Sequence, residues 1–325
     1  NDRRLGANEA PPAIISIFLG DQLSNMLEAI ESGNDYNHCS RKEMEIGVHV
    51  LPHFKQDRTD RNRTSPFAFT GNKFEFRMLG SAFSIAGPNF ILNTIVAESL
   101  KQYADELESG VDIKETALNI IRKTVRDHKR IIFNGNNYSD EWVEEAERRG
   151  LLNIKSTSKA LPMYTSQSNI ELFTSHGIFS ESEVRSRCEI VLENYCKTLH
   201  IEAVTMIEMG IREIIPAVSK YIDELSNSAL NRRALLSNAE CEPEITLITR
   251  LSELNSRFYK SIEDMKESLS RTALYVNAVE HAEYYESVIL TQMNNMRAIA
   301  DEMETLTASE CWPFPTYSQL LFSVV

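Results

Sequence analysis

Cysteine is scarce in this chain and scattered where it occurs. Cys39, Cys188, Cys196, Cys241 and Cys311 are odd in number, with no CxxC pair and no Cys/His metal pattern. That spacing argues against a zinc-type ligand set and points to a reduced, cytoplasmic compartment. No apolar run reaches the roughly 18–20 residues needed to cross a bilayer, and the first residues carry no signal-peptide pattern, so a membrane role is not expected. Positive charge is also in deficit: Lys and Arg total 34 against 47 Asp and Glu, a net charge of −13. Such a balance repels phosphate backbones and argues against nucleic acid as a partner. A small anionic substrate remains compatible with it, because a local basic site can sit inside an acidic protein. The seven histidines, His38, His49, His53, His128, His176, His200 and His281, lack a ligand spacing such as HExxH and read as surface or packing residues, with His49 and His53 closest to a functional placement. The chain opens without Met on a polar, arginine-containing stretch, which reads as a processed or truncated start.

What is present suits a globular protein. The 325 residues are 42% hydrophobic and 25% charged, enough for a sizeable core and two structural units. The pattern changes near residue 110, dividing the chain into 1–110 and 111–325. Before it, short β-type runs alternate with loops: 13–19 after Pro11-Pro12, 45–51, 67–69 and 73–79, the last two joined through Thr70-Gly71-Asn72. A short helix over 24–32 is closed by Gly33, and a long one starts at Pro88 and stops at Gly110. Beyond residue 113 helices dominate. Asn134-Gly135 marks a tight turn, and Asp140 to Arg149 is a short helix ended by Gly150. Ser180-Glu181-Ser182-Glu183 has capping-box spacing and opens a long helix that Pro216 should kink. From Glu244 to Trp312 there is neither Gly nor Pro. There Ile248, Leu251, Leu254, Phe258, Ile262, Met265 and Leu269 form one apolar stripe. Helices over about 180–230 and 244–312 therefore predict a long antiparallel hairpin, ended by Pro313 and Pro315, with an apolar tail over 320–325 docking on another surface.

The segment that carries chemistry is Lys73-Phe74-Glu75-Phe76-Arg77. Side chains alternate along a strand, so Lys73, Glu75 and Arg77 share one face while Phe74 and Phe76 anchor the other in a core. A carboxylate between two cations can hold a divalent metal and grip phosphate or carboxylate, which suits phosphoryl transfer. An exposed strand closed by a mutual salt bridge is the competing reading of the same spacing. Arg3, Arg4 and Glu9 flank a loop before the first strand, and Arg58, Arg61 and Arg63 crowd the loop before Phe67; each cluster alone reads as solvated surface. Asn89 caps the long helix or touches a ligand. Asn62-Arg63-Thr64 matches a glycosylation sequon and reads as chance.

The order of these segments changes the weighing. Asn1-Asp2-Arg3-Arg4-Leu5-Gly6-Ala7-Asn8-Glu9-Ala10-Pro11-Pro12 resembles the glutamate-binding segment of glutamine synthetases. The run from Asn62 to Arg77 resembles their next active-site block, in the wording of the type III class. Ser84-Ile85-Ala86-Gly87-Pro88-Asn89, Leu161-Pro162 and Trp312-Pro313-Phe314-Pro315-Thr316-Tyr317 stand where that class has its own short motifs. The chain thus resembles the C-terminal half of a type III glutamine synthetase along essentially its whole length.

The resemblance implies ATP-dependent ligation of ammonia to glutamate through a γ-glutamyl phosphate. It implies an α+β fold with a mainly antiparallel active-site sheet followed by a helical region. Arg4 is then the arginine that holds the glutamate carboxylate, and Glu9 the flap glutamate that covers the site and helps take a proton from ammonium. Arg63 contacts the transferring phosphate and, with Lys73, binds nucleotide. Glu75 ligates Mg2+ or Mn2+, and Arg77 steadies the γ-glutamyl phosphate. The implied assembly is a dodecamer of two hexameric rings. Two departures stand out. Ala68 occupies the place of a second arginine found in the better-known bacterial class, a role left to Arg58, Arg61 or Lys73. The family's other metal-binding glutamates, its histidine ligand and its Asn-Gly-Ser-Gly loop belong upstream, so the chain alone is expected to be inactive. A structural or regulatory assembly that has lost catalysis, and a ligase that joins glutamate to another amine, are the alternatives.

Overall fold

The computed structural model describes residues 12–34, 43–44, 54–55, 62–80 and 83–322. Arg4, Glu9, Arg58, Arg61, His38, His49, His53 and the strand expected over 45–51 lie outside them. Two compact units divide at Val184 and Arg185. The change of pattern at residue 110 falls within the first.

In the first unit, β1 (Ile17–Phe18) leads into α1 (Gly20–Ser32), which Gly33 ends at φ 72°, a left-handed conformation that suits glycine. A small antiparallel pair follows, β2 (Glu43–Met44) with β3 (Phe54–Lys55). β4 (Phe67–Phe69) and β5 (Phe74–Phe76) form a hairpin, closed where Thr70 N–H donates to the Lys73 carbonyl at 2.9 Å. The described three-stranded sheet has the order β1-β4-β5, with β1 parallel to β4 and β4 antiparallel to β5. It is therefore mixed rather than mainly antiparallel. A tight turn forces β4 and β5 into opposite directions, whereas β1 reaches β4 through a long excursion that lets the strands run the same way. Ile17 also bridges Ile132 in parallel.

Helices make up most of what remains. α2 (Ala86–Ser109) begins where Ser84 Oγ accepts from Ala86 N–H, so Ser84 rather than the exposed Asn89 serves its first turn. α3 (Ile113–His128) is capped by Asp112, whose carboxylate accepts from the N–H groups of Lys114 and Glu115. α4 (Asp140–Arg148) buries Trp142 and Ala146 against Ile14; Phe133 stacks on Trp142 with centroids 3.7 Å apart. Two short helices, α5 (Thr157–Ala160) and α6 (Gln167–Ser175), flank a 3-10 turn at Leu161–Thr165. Phe173 of α6 packs with Phe90 and Phe179. His176 pairs with Glu98 at 2.7 Å. The capping box forms as expected, with Ser180 N–H on the Glu183 carboxylate at 2.8 Å.

The second unit begins within α7 (Glu181–Met209), which passes through a π turn, Gly210–Ile214, into α8 (Ile215–Leu235). The π turn lies directly before Pro216, the position expected to perturb the helix, where the missing proline N–H breaks the regular ladder. α9 (Glu242–Arg271) packs on α8, burying Leu251, Leu254, Phe258, Ile262 and Met265 of the apolar stripe. The segment after it is not one continuous helix. The chain leaves helix at residues 275–277, and Asn277 caps α10 (Ala278–Tyr284) by accepting from Val279 and Glu280 N–H. A second π turn, Tyr285–Leu290, joins α10 to α11 (Thr291–Leu306), which returns along α9. A three-membered packing of α8, α9 and α11 thus stands where the sequence predicts a two-membered hairpin. Arg232 near the end of α8 pairs with Glu244, buried at the start of α9. α12 (Tyr317–Phe322) ends the described chain with Leu320, Leu321 and Phe322 exposed.

Candidate functional site

The β4–β5 hairpin places the charged residues. Its register sets Phe67 opposite Phe76, Ala68 opposite Glu75 and Phe69 opposite Phe74. The rings gather on one side: Phe67 stacks on Phe74 at 5.5 Å, and Phe69 lies 5.2 Å from Phe74. Phe74 nevertheless stays 50% exposed, so the aromatic face holds the hairpin together by cross-strand pairing rather than by core burial.

On the other face, Ala68 is buried and Glu75 stands across from it. Arg77 donates to Glu75 Oε2 from Nη2 at 2.8 Å and from Nε at 3.3 Å, and Lys73 Nζ lies 3.5 Å from Glu75 Oε1. The Arg77 hydrogen bond, followed by the positive charge of Arg77 and Lys73, holds the Glu75 carboxyl below its ordinary value against the opposing effect of desolvation. The same contacts favour the ionised form of Glu75.

Arg77 is fixed from a second side. Its Nη1 donates to the Asn62 carbonyl, and its main-chain N–H donates to the Pro66 carbonyl at 2.7 Å. Asn62 is itself held. Its Oδ1 accepts from Thr64 N–H at 3.0 Å and from Thr64 Oγ1 at 2.6 Å, and its Nδ2 donates to the Gly135 carbonyl at 2.8 Å. Arg63, between them, is exposed in that turn.

The loop 134–137 closes the arrangement. Asn137 is 1% exposed; its Oδ1 accepts from Ser16 Oγ at 2.8 Å and its N–H donates to Thr64 Oγ1 at 3.0 Å. Asn134 Oδ1 accepts from Leu19 and Gly20 N–H, both at 3.1 Å, capping α1, whose own N-cap is a leucine. Gly135 is required between them: a Cβ there would fall 2.6 Å from the Phe133 ring, which the stack on Trp142 holds in place. Sequence reasoning reads this stretch only as a turn. The signal it passes over is three asparagines within four residues, each an amide that can bond at both ends.

The structure thus brings Lys73, Glu75 and Arg77 into contact, while Arg63 is exposed in the turn next to Asn62. Arg4 and Glu9 lie outside the described residues. Among the described residues no group of three or more His, Cys, Asp or Glu side chains could hold a metal ion. Hard cations take six or more oxygens, so these residues do not form a metal site by themselves. No helix among the described residues is long and apolar enough to cross a membrane.

Comparison with known proteins gives the family. The glutamine synthetase C-terminal domain matches residues 116–233. A glutamine synthetase of Butyrivibrio fibrisolvens is 40% identical over 100% of this chain and 46% of its own length. The type-3 glutamine synthetase of Dictyostelium discoideum is 38% identical over 99% of this chain and 45% of its own. A glutamine synthetase of Bacteroides fragilis is 35% identical over 99% and 46%. These sequence matches place the chain in the glutamine synthetase family. Within it, the chain corresponds to the C-terminal half of a type III glutamine synthetase, and it spans about half the length of the curated relatives it matches.

Proposed function

We propose that this chain supplies part of the active site of an ATP-dependent ligase that joins ammonia to L-glutamate. The carrying observation is the Glu75–Arg77 pair, an ionised carboxylate beside a guanidinium held from two sides. Preorganised charge of this kind is what phosphoryl transfer needs, since positioning and charge neutralisation supply most of its catalysis.

In this reading the glutamate γ-carboxylate attacks the γ-phosphate of ATP, breaking its bond to ADP, which leaves, and ammonia then displaces phosphate from the acyl phosphate. Arg77 steadies that intermediate. Arg63 and Lys73 meet nucleotide phosphate, and Lys73, already beside Glu75, takes the cationic role that Ala68 cannot. Arg4 holds the substrate carboxylate. Glu9 closes the site against water, which would otherwise hydrolyse the intermediate, and accepts a proton from ammonium. Glu75 contributes one ligand to Mg2+ or Mn2+, the others coming from outside the described residues. Residues 111–325 supply packing between subunits of a cytoplasmic dodecamer of two hexameric rings.

The test is glutamine formation by the full-length protein with glutamate, ammonia and ATP. Glu75→Gln and Arg77→Ala should each cut turnover about a hundredfold or more, and the 325-residue chain alone should give none. Absence of ATP-dependent turnover in the full-length protein would favour a structural or regulatory assembly. Turnover with a small amine but not with ammonia would favour an amine ligase. Activity in the isolated chain would overturn the partial-site reading.

A further inference from the structure

The hydrogen bonds around Asn62 form one directed chain. Asn137 N–H donates to Thr64 Oγ1, so the single Thr64 hydroxyl proton is left for Asn62 Oδ1, 2.6 Å away. Asn62 Nδ2 has the Gly135 carbonyl, which fixes which end of the amide is which. The main-chain carbonyl of the same residue accepts from Arg77. At the far end Asn137 is anchored in the interior by Ser16, beside β1. A buried amide loses several kcal/mol of hydration unless it is paired, so its geometry is strongly specified and is passed outward.

We propose that Thr64 and Asn62, anchored by Asn137, are positioning residues for Arg77: they fix the Asn62 carbonyl and thereby set where the Arg77 guanidinium meets the phosphoryl group. The proposal rests on the ligase reading above. None of the three is assigned a contact with substrate; they act through Arg77. Asn134 on the start of α1 and the Phe133–Trp142 stack also hold this loop in place. The Thr64–Asn62 link instead runs outward to the charged face. Misplacing a reacting group by about 1 Å can cost about a hundredfold in rate.

The test compares Thr64→Val with Thr64→Ser in the full-length protein. Valine keeps the shape and removes the hydroxyl; serine keeps the hydroxyl. Thr64→Val should lower kcat about tenfold or more with KM for glutamate changed less than about threefold, and Thr64→Ser should stay near wild type. In an Arg77→Lys background, Thr64→Val should add little, because both changes disturb one arm. Equal losses in both backgrounds, or a lower melting temperature with unchanged kcat, would overturn the proposal. A structure of the Thr64→Val protein decides the matter apart from activity: Arg77 should leave the Asn62 carbonyl, and Arg77 unmoved would overturn the relay. Absent wild-type turnover would count against the ligase reading alone.

Discussion

Arg77 and Glu75 are two residues apart at the end of one strand, and the guanidinium reaches back to a single carboxylate oxygen, Oε2, through both Nη2 and Nε. A strand puts such residues on the same face, so the pairing is a direct product of local geometry.

Removing the guanidinium should release Glu75. Because the Arg77 hydrogen bond is the first cause of the lowered Glu75 value, Arg77→Ala should move it up toward 4.5, and Lys73→Ala should move it less. The sign follows from linkage. A carboxyl lowered in the folded state contributes stability above its unfolded value, and that contribution fades as pH falls through the folded value. Titration of the Glu75 carboxyl carbon by NMR reads this. An unchanged value in Arg77→Ala would mean that the pair does not form in solution.

His281 gives a pH dependence of the same sign, from a different cause and in a higher pH range. Burial first, and then the neighbouring His200, lower its value from 6.5. Its Nε2 is shut from solvent with no hydrogen-bond partner among the described residues, beside the rings of Tyr275 and Tyr285, while His200 Nδ1 lies 3.1 Å from the Tyr285 hydroxyl. The unfolded chain therefore binds a proton there before the folded one does. Stability should fall as pH drops below about 6.5 and level off beneath the lowered value. Urea unfolding at a series of pH values checks this, and His281→Phe should flatten that part of the slope. An unchanged slope in His281→Phe would assign it to other groups.

Gly210 opens the π turn between α7 and α8, where a Cβ would lie 2.8 Å from Ile262 Cδ1 and 3.1 Å from the Phe258 ring. Alanine gains about 1 kcal/mol of helix propensity but overpacks a core at a cost of about 1–3 kcal/mol. Gly210→Ala should therefore lose about 1 kcal/mol in thermal or urea unfolding. Trimming the clashing methyl with Ile262→Val should recover part of the loss in the double variant, whereas strictly additive effects would place the strain elsewhere.

Much of this was legible in the sequence wherever the cause is local. Gly33, Gly110 and Gly150 end helices, Ser180 and Glu183 cap one, and the stripe through Leu251, Leu254, Phe258, Ile262 and Met265 faces a core. Alternation along 73–77 put Lys73, Glu75 and Arg77 on one face, and they do meet. The parallel pairing of β1 with β4 was not legible, because no short-range pattern specifies a partner about fifty residues away. Nor was the break at 275–277. Its residues are tolerable in a helix, and the stop comes from Asn277 capping a new one. Phe74 reads as core but sits half exposed, since alternation reports a shared face and not what covers it. The asparagine relay escaped because amides in a loop look like ordinary turn residues until their distant partners, Ser16 and Thr64, are known.

The cap that Asn134 places on α1 has a consequence for synthesis. The Leu19 and Gly20 amides wait for an acceptor 114 or 115 residues further along. On the ribosome, α1 emerges long before that acceptor exists, with a leucine as its N-cap and no side-chain bond of its own. Until the 134–137 loop is made, the Leu19 and Gly20 amides lack that acceptor. The same loop carries Asn137 to Thr64, so the cap on α1 and the contact at Thr64 both depend on one segment synthesised much later.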